Sequence, residues 1–255
     1  VKAVSESGVQ GILAKNLKAV ILMGLEPSLD LADPQAAKST LAKAGTVIAM
    51  TAYDTSELRE MADVLLPITP YTETSGSFVN AEGILQSVQA AVRPLGEARP
   101  SWKVLRVLGN VLGLDNYYFD SSEEVLSEAL PANFAAQLNN ATSVKPAAIN
   151  AQTLATERLA DVPIHSSDAI VRRAPALQLT QDGKRALKAG LPSSLFASLG
   201  IKEGDAVKVT QSGVSVTLPA TEEKGLADGV VRVSAATLAS AQLGAMFGLL
   251  TVERA

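Results

Sequence analysis

Carboxylates and hydroxyls, rather than thiols or imidazoles, are the groups from which this chain could build a reaction centre. The stretch Ala62–Gly83, ADVLLPITPYTETSGSFVNAEG, places Glu73, Asn80 and Glu82 among threonines and serines. Two carboxylates in one loop are the raw material of general acid–base chemistry. In a loop this rich in hydroxyls each also has an ordinary role, either solvated or accepting backbone N–H groups. Asp30 and Asp33 follow an apolar run and suit turns, and Asp54 or Thr55 suits a helix N-cap. Glu222-Glu223-Lys224 reads as an exposed turn. The single histidine, His165, excludes a two-histidine metal site and leaves a Ser-His-Asp triad one candidate base. Its loop-like setting before Ser166-Ser167-Asp168 marks it as a surface or packing residue. There are no cysteines, which removes disulfides, thiolate zinc sites, a cysteine nucleophile and cysteine-ligated iron–sulfur clusters from this stretch.

The elements that must position these groups alternate helix and strand in the first part of the chain. Gly11 to Asn16 reads as the end of an amphipathic helix, and Ala19 to Met23 as a short apolar strand ending at Gly24. Pro34 to Ala44 reads as a helix, Thr46 to Thr51 as a strand, and Ala62 to Ile68 as a third, buried strand. Such alternation implies a parallel, Rossmann-like sheet of the doubly wound kind. Ligands of such sheets sit outside the carboxyl ends of the strands, here the loops Gly24–Asp33, Thr51–Thr55 and Pro67–Gly83. No GxGxxG or GxxxxGK[ST] follows any of them, so neither standard phosphate cradle is supported.

Pro100 to Leu112 reads as a helix with Trp102, Leu105, Val107, Leu108, Val111 and Leu112 as its apolar stripe, Trp102 as a core-packing residue and Gly113 as its stop. Residues 116–172, rich in Ala, Asn, Ser and Thr, read as a connection holding one helix, Ser121 to Leu130. From 173 onward short alternating strands and glycine turns, as in Ala206–Thr210, Gln211-Ser212-Gly213 and Val214–Leu218, indicate a small β-barrel. The expected organisation is an α/β domain over 1–115, a helical and extended connection over 116–172, and a barrel over 173–255.

The net charge of −4 and the absence of any Lys/Arg block longer than a pair argue against nucleic acid and against a polybasic membrane patch. Arg172-Arg173 reads as a local anchor. Mean hydropathy is +0.20, yet the apolar runs stop far short of the ~20 residues of a membrane span. The chain opens Val-Lys-Ala and reads at once like the middle of a domain, so it is expected to be a fragment of something longer.

Order and residues together resemble the molybdopterin oxidoreductase superfamily. Ala62-Asp63-Val64-Leu65-Leu66-Pro67, Thr72-Glu73 and Gly76-Ser77-Phe78-Val79-Asn80-x-Glu82-Gly83 resemble that superfamily's strand and following loop. Pro94-x-Gly96-Glu97-Ala98-Arg99-x-x-Trp102 continues in register, and Leu199-Gly200-Ile201-x-x-Gly204-Asp205-x-Val207 resembles the turn of its double-psi barrel. Within it, Val162 to Thr180, VPIHSSDAIVRRAPALQLT, is similar to the bacterial G-subunit family of NADH-quinone oxidoreductase (respiratory complex I). That resemblance implies iron–sulfur clusters in a missing amino-terminal part. It also implies contacts with that part and with other hydrophilic-arm subunits, and a peripheral place on the cytoplasmic side of the bacterial inner membrane.

Active members bind a pterin–guanine dinucleotide, and several positions depart from that requirement. Ala81 stands where Thr is usual and Ile84 replaces an Arg; an isoleucine cannot make charge-assisted bonds to a phosphate. Pro192-Ser193-Ser194 replaces an Asn-Pro, and Ser234-Ala235-Ala236-Thr237 stands where a His and an Asn often meet the pterin. Each unpaired polar edge would cost ~1–3 kcal/mol. The resemblance therefore implies a relic pocket around Gly24, Glu26, Asn80 and Glu82, with no catalytic residue, no metal ligand and no cofactor in this stretch. The alternatives are the carboxy-terminal half of an active molybdoenzyme such as a formate dehydrogenase, or an independent α/β hydrolase or small-ligand binder, for which neither a Gly-x-Ser-x-Gly elbow nor a second histidine is present.

Overall fold

A computed structural model of the chain describes residues 8–139 and 155–255; residues 140–154 of the segment read as a connection lie outside the described residues. The chain divides into two units. Among the described residues, one holds 21–24 and 47–139; the other holds 8–20, 25–46 and 155–255.

The first unit is built on a sheet in the order β1 (Val20–Met23), β2 (Val47–Thr51), β3 (Val64–Pro67). Strands β2 and β3 run parallel in the register Ile48↔Val64 to Thr51↔Pro67. Central β2 is buried through Val47, Ala49 and Met50, as a strand with a neighbour on either side should be. Strand β3, expected to be buried, is like β1 an edge of the sheet among the described residues, and Val64 is exposed. The strands follow sequence order, so no point of order reversal, where such sheets form their crevice, exists among the described residues. Between β2 and β3 lies a helix, Ser56–Met61, whose Leu58 is fully buried. Thr55 caps it by accepting from the Leu58 N–H (3.2 Å). Asp54 takes no part in the cap: it forms a two-point ion pair with Arg59, and that hydrogen bond and charge hold its carboxyl below the usual range.

After β3 come a hairpin of β4 (Gly76–Val79) and β5 (Leu85–Val88), a long helix Ser101–Val111 and a shorter one, Ser122–Ala129, capped by Ser121. The long helix ends at Gly113, whose φ of +67° only glycine adopts freely. Its apolar stripe is only partly covered: Leu105 and Leu108 are half-buried, Val107, Val111 and Leu112 are exposed, and Gly109 is its one buried residue. Trp102 is half-buried and Lys103 lies over its ring, 5.2 Å from the centroid.

The second unit is a closed six-stranded barrel. Strands β6 (Thr156–Leu159), β7 (Ala189–Leu191), β8 (Ala206–Gln211), β9 (Val214–Glu222), β10 (Val230–Arg232) and β11 (Leu249–Arg254) close in the order β10-β6-β11-β8-β9-β7. The pairs β6/β10 and β7/β9 are parallel; the rest are antiparallel. Ser212 and Gly213, both at positive φ, make the two-residue β8/β9 turn that matches strand twist. Leu191, Val207, Val209, Val231 and Val233 fill the interior. The barrel differs from the sequence reading in two ways. It begins at β6, inside the stretch read as a connection, and residues 25–46 group with it rather than with the sheet. The Pro34–Leu41 helix is held there by Gln35 donating to the Ala241 carbonyl (3.0 Å) and the Met246 N–H donating to Ala32 (2.8 Å).

Candidate functional site

Gly24 follows β1 at φ +62°, and its N–H donates to the Met50 carbonyl (2.8 Å), which closes β1 onto β2. Two residues on, Glu26 begins a single helical turn, Pro27–Asp30, and its own N–H donates to Asp30 Oδ2 (2.7 Å). The Glu26 side chain is only 7% exposed and is gripped from a segment about 147 residues away. Arg173 donates to both oxygens, Nη1 to Oε1 at 2.8 Å and Nη2 to Oε2 at 3.1 Å. Arg172, also buried, lies 3.6 Å from Oε1 through Nη1 and donates from Nη2 to Asp30 Oδ1 at 2.5 Å. Two guanidinium groups thus meet two carboxylates, and the cluster is neutral. Arg172 Nε and Nη1 are buried with no hydrogen-bond acceptor among the described residues.

The arginines are presented by local sequence. Asp168 Oδ1 accepts from the N–H groups of Ile170 (2.7 Å) and Val171 (3.0 Å), which starts the 3₁₀ turn Val171–Arg173. Gln178 then ties the turn down by donating to the carbonyls of His165 (2.8 Å) and Val171 (3.3 Å). His165 thus serves through its backbone. The pair read as a local anchor is a long-range one.

Asn80 and Glu82 come together in the β4/β5 turn. The Asn80 side-chain oxygen accepts from the N–H groups of Glu82 and Ile84, each at 2.9 Å, and Gly83 takes φ +81°. Glu82 and Ile84 are exposed. The hydroxyls before the turn are spent on one another and on the backbone: Thr69 with Thr74 (2.6 Å), Thr74 with the Pro70 carbonyl (2.9 Å), Ser77 with Ser87 (2.8 Å). Glu73 accepts from the Leu95 N–H (3.2 Å). Asp33 caps its helix by accepting from the Ala36 N–H (3.0 Å). No group of three or more His, Asp or Glu side chains among the described residues is placed to hold a metal ion.

In the barrel, Ser234 is buried, accepts from Arg232 Nη1 and donates to Asp161 Oδ1, both at 2.8 Å; the Ala235 N–H donates to the Asp161 carbonyl. Glu223 is not the exposed turn residue expected. Its carboxylate, 15% exposed, is bound by Arg232 (2.7 Å) and Arg185 (2.9 Å). Burial alone would raise the Glu223 carboxyl, but the hydrogen bonds from Arg185 and Arg232 outweigh it and hold it below the usual range. Arg158, donating to Val233, Gln211 and Ala245, is pushed down to about 10 by burial and stays charged at neutral pH. Val230-Val231-Arg232-Val233 carried the signal for this network: a charge in an apolar strand demands a partner.

Residues 2–111 match the molybdopterin oxidoreductase family. The chain is 29% identical over 220 residues to the NADH-quinone oxidoreductase G subunit of Streptomyces coelicolor, an alignment covering 83% of this chain and 25% of that protein. It is 27% identical over 112 residues to a nitrate reductase of Shewanella frigidimarina, covering 44% of this chain and 12% of that one. Acetylene hydratase from Pelobacter acetylenicus shares the fold, with TM-score 0.59 and 16% identity over 93% of this chain and 44% of its own. The resemblance drawn from the motifs therefore holds, both to the superfamily and to the G-subunit family. The chain spans a quarter or less of the length of these curated relatives. No helix among the described residues is long and apolar enough to cross a membrane.

Proposed function

We propose that this chain is a non-catalytic, structural and interaction-making portion of the iron–sulfur G subunit of a proton-pumping NADH:quinone oxidoreductase, carrying a degenerate molybdopterin pocket. The observation that carries this reading is the neutral cluster of Glu26, Asp30, Arg172 and Arg173. The arginines lie in the run whose residues resemble the G-subunit family, and they occupy the carboxylates of the loop where a sheet of this kind would take a ligand. A dinucleotide would have to displace these bonds, and breaking a buried pair costs several kcal/mol. The other positions that the resemblance assigns to a cofactor pocket offer it little in return. Asn80 spends its oxygen on its own turn, Ile84 brings no charge, and Ala235 brings no side-chain donor. The residues present do not fit the pterin cofactor.

On this reading the barrel is of the double-psi type, supported by its two parallel pairs within an otherwise antiparallel closure. Clusters belong to the preceding part of the same polypeptide, neighbours are the other hydrophilic-arm subunits, and the place is peripheral, on the cytoplasmic side of the inner membrane. The alternative, part of an active molybdenum or tungsten oxidoreductase, draws on the likeness to nitrate reductase. Molybdenum, tungsten and extractable pterin in the subunit purified from its native host separate the two. Background levels of all three are expected. Near-stoichiometric metal with pterin would overturn the proposal.

A further inference from the structure

The long helix Ser101–Val111 leaves an apolar face uncovered, and the chain that follows turns that face into a groove. Arg106, Val107, Asn110, Val111, Tyr117, Tyr118 and Asp120 line it, and it is an open groove of about 550 Å³. Val111 is 77% exposed and Tyr118 80%, and Val107, Leu112 and Leu114 add to the patch. Monomers seldom leave such a run of apolar side chains in water without a use for it.

Specific contacts hold the walls of the groove. Gly109 is where the Tyr117 ring lies against the helix: a Cβ there would fall 2.3 Å from the ring, so only glycine admits the contact. Arg106 donates to the Phe119 carbonyl (2.5 Å) and pairs with Asp120 (3.6 Å), fixing the far wall. The Leu114 N–H donates to the Gly109 carbonyl (2.9 Å), and Asn116 turns the chain at φ +66°. A wall held this way loses little freedom on binding.

Charge identifies the occupant. Residues 101–130 carry Asp115, Asp120, Glu123, Glu124 and Glu128 against Lys103 and Arg106. A second copy of this acidic chain would set carboxylates against carboxylates, and an anionic lipid surface would be repelled. We propose that this groove docks a basic, amphipathic segment of a partner protein, its apolar side chains entering between Val107, Val111 and Tyr118 and its Lys or Arg side chains meeting Asp115 and Asp120. This is the helix-in-groove mode of recognition. The inference gives a chemistry to the interaction role proposed above and in that sense rests on it. It is testable apart from it, since it concerns neither metal nor pterin.

The test is fluorescence anisotropy of the 255-residue chain with a labelled amphipathic Leu/Lys helix and with its Leu/Glu twin. The Leu/Lys helix is expected to bind and the twin not, with affinity falling as salt is raised. Val111→Asp or Tyr118→Ala is expected to weaken binding about tenfold or more, as loss of a central anchor does. Both positions are solvent-exposed, so circular dichroism should be unchanged. Asp115→Asn with Asp120→Asn should flatten the salt dependence. Equal binding of the two helices, binding untouched by Val111→Asp, or self-association of the chain that Val111→Asp abolishes would each overturn the proposal.

Discussion

Two loops of this chain look alike in sequence and differ in what holds them. The loop after β1 and the loop after β3 both follow a short apolar strand and both carry carboxylates and turn residues. In the first, Glu26 is buried and bound by arginines about 147 residues away; in the second, Asn80 and Glu82 sit in a turn satisfied by its own backbone. The difference is one of solvent. A carboxylate taken out of water must be paired, so the first loop depends on distant chain. A side chain left in water need only serve its neighbours, and the second loop is self-sufficient.

Substitutions at the two loops should therefore differ in size. Glu26→Ala removes the carboxylate that Arg173 binds at two points and that lies beside Arg172, which keeps Asp30, and the barrel unit should lose about 3–5 kcal/mol in urea unfolding; a loss below about 1 kcal/mol would mean that water already screens the cluster. Gly109→Val sets a side chain into the Tyr117 ring and should cost about 1–3 kcal/mol, read as a drop in melting temperature. Asn80→Ala removes an acceptor shared by two turn N–H groups; about 1 kcal/mol should be lost, with faster hydrogen exchange confined to residues 80–84. Glu82→Gln, exposed, should change stability by less than about 0.5 kcal/mol.

The barrel's own ion pairs add a pH test of the same contrast. The Glu223 carboxyl is depressed in the fold, so its stabilising contribution is complete above the unfolded value of about 4.3 and is lost as pH falls through the folded value. Wild type should lose barrel stability in that acid window more steeply than Glu223→Gln, compared by urea midpoints at stepped pH. Parallel curves would place the acid sensitivity elsewhere.

Elements with local signals were legible. Pro34 opened its helix, Ser121 capped another, and the Ser212-Gly213 turn with its alternating flanks marked the β8/β9 hairpin. Two barrel strands carried no such signal. Ala189–Leu191 is three residues long and buried throughout, so it shows no alternation, and Thr156–Leu159 contains two charges in four residues. The helix stripe from Trp102 to Leu112 had the right period, but period reports an apolar face and not what covers it. Strand β3 has buried-strand composition at an edge position, which composition cannot tell apart. The candidate site was half legible. Gly24 and Glu26 could be named from their place after a strand and Arg172-Arg173 as an anchor, but pairing across about 147 residues leaves no trace in spacing.

That the chain's own arginines neutralise the loop after β1 is tested most directly by a double-mutant cycle on Glu26→Gln and Arg173→Gln, read by urea unfolding of wild type, both single variants and the double. A coupling of about 1–3 kcal/mol is expected, with the double variant losing less than the sum of the singles. A coupling indistinguishable from zero would contradict that neutralisation and would return Glu26 to the groups free to meet a ligand.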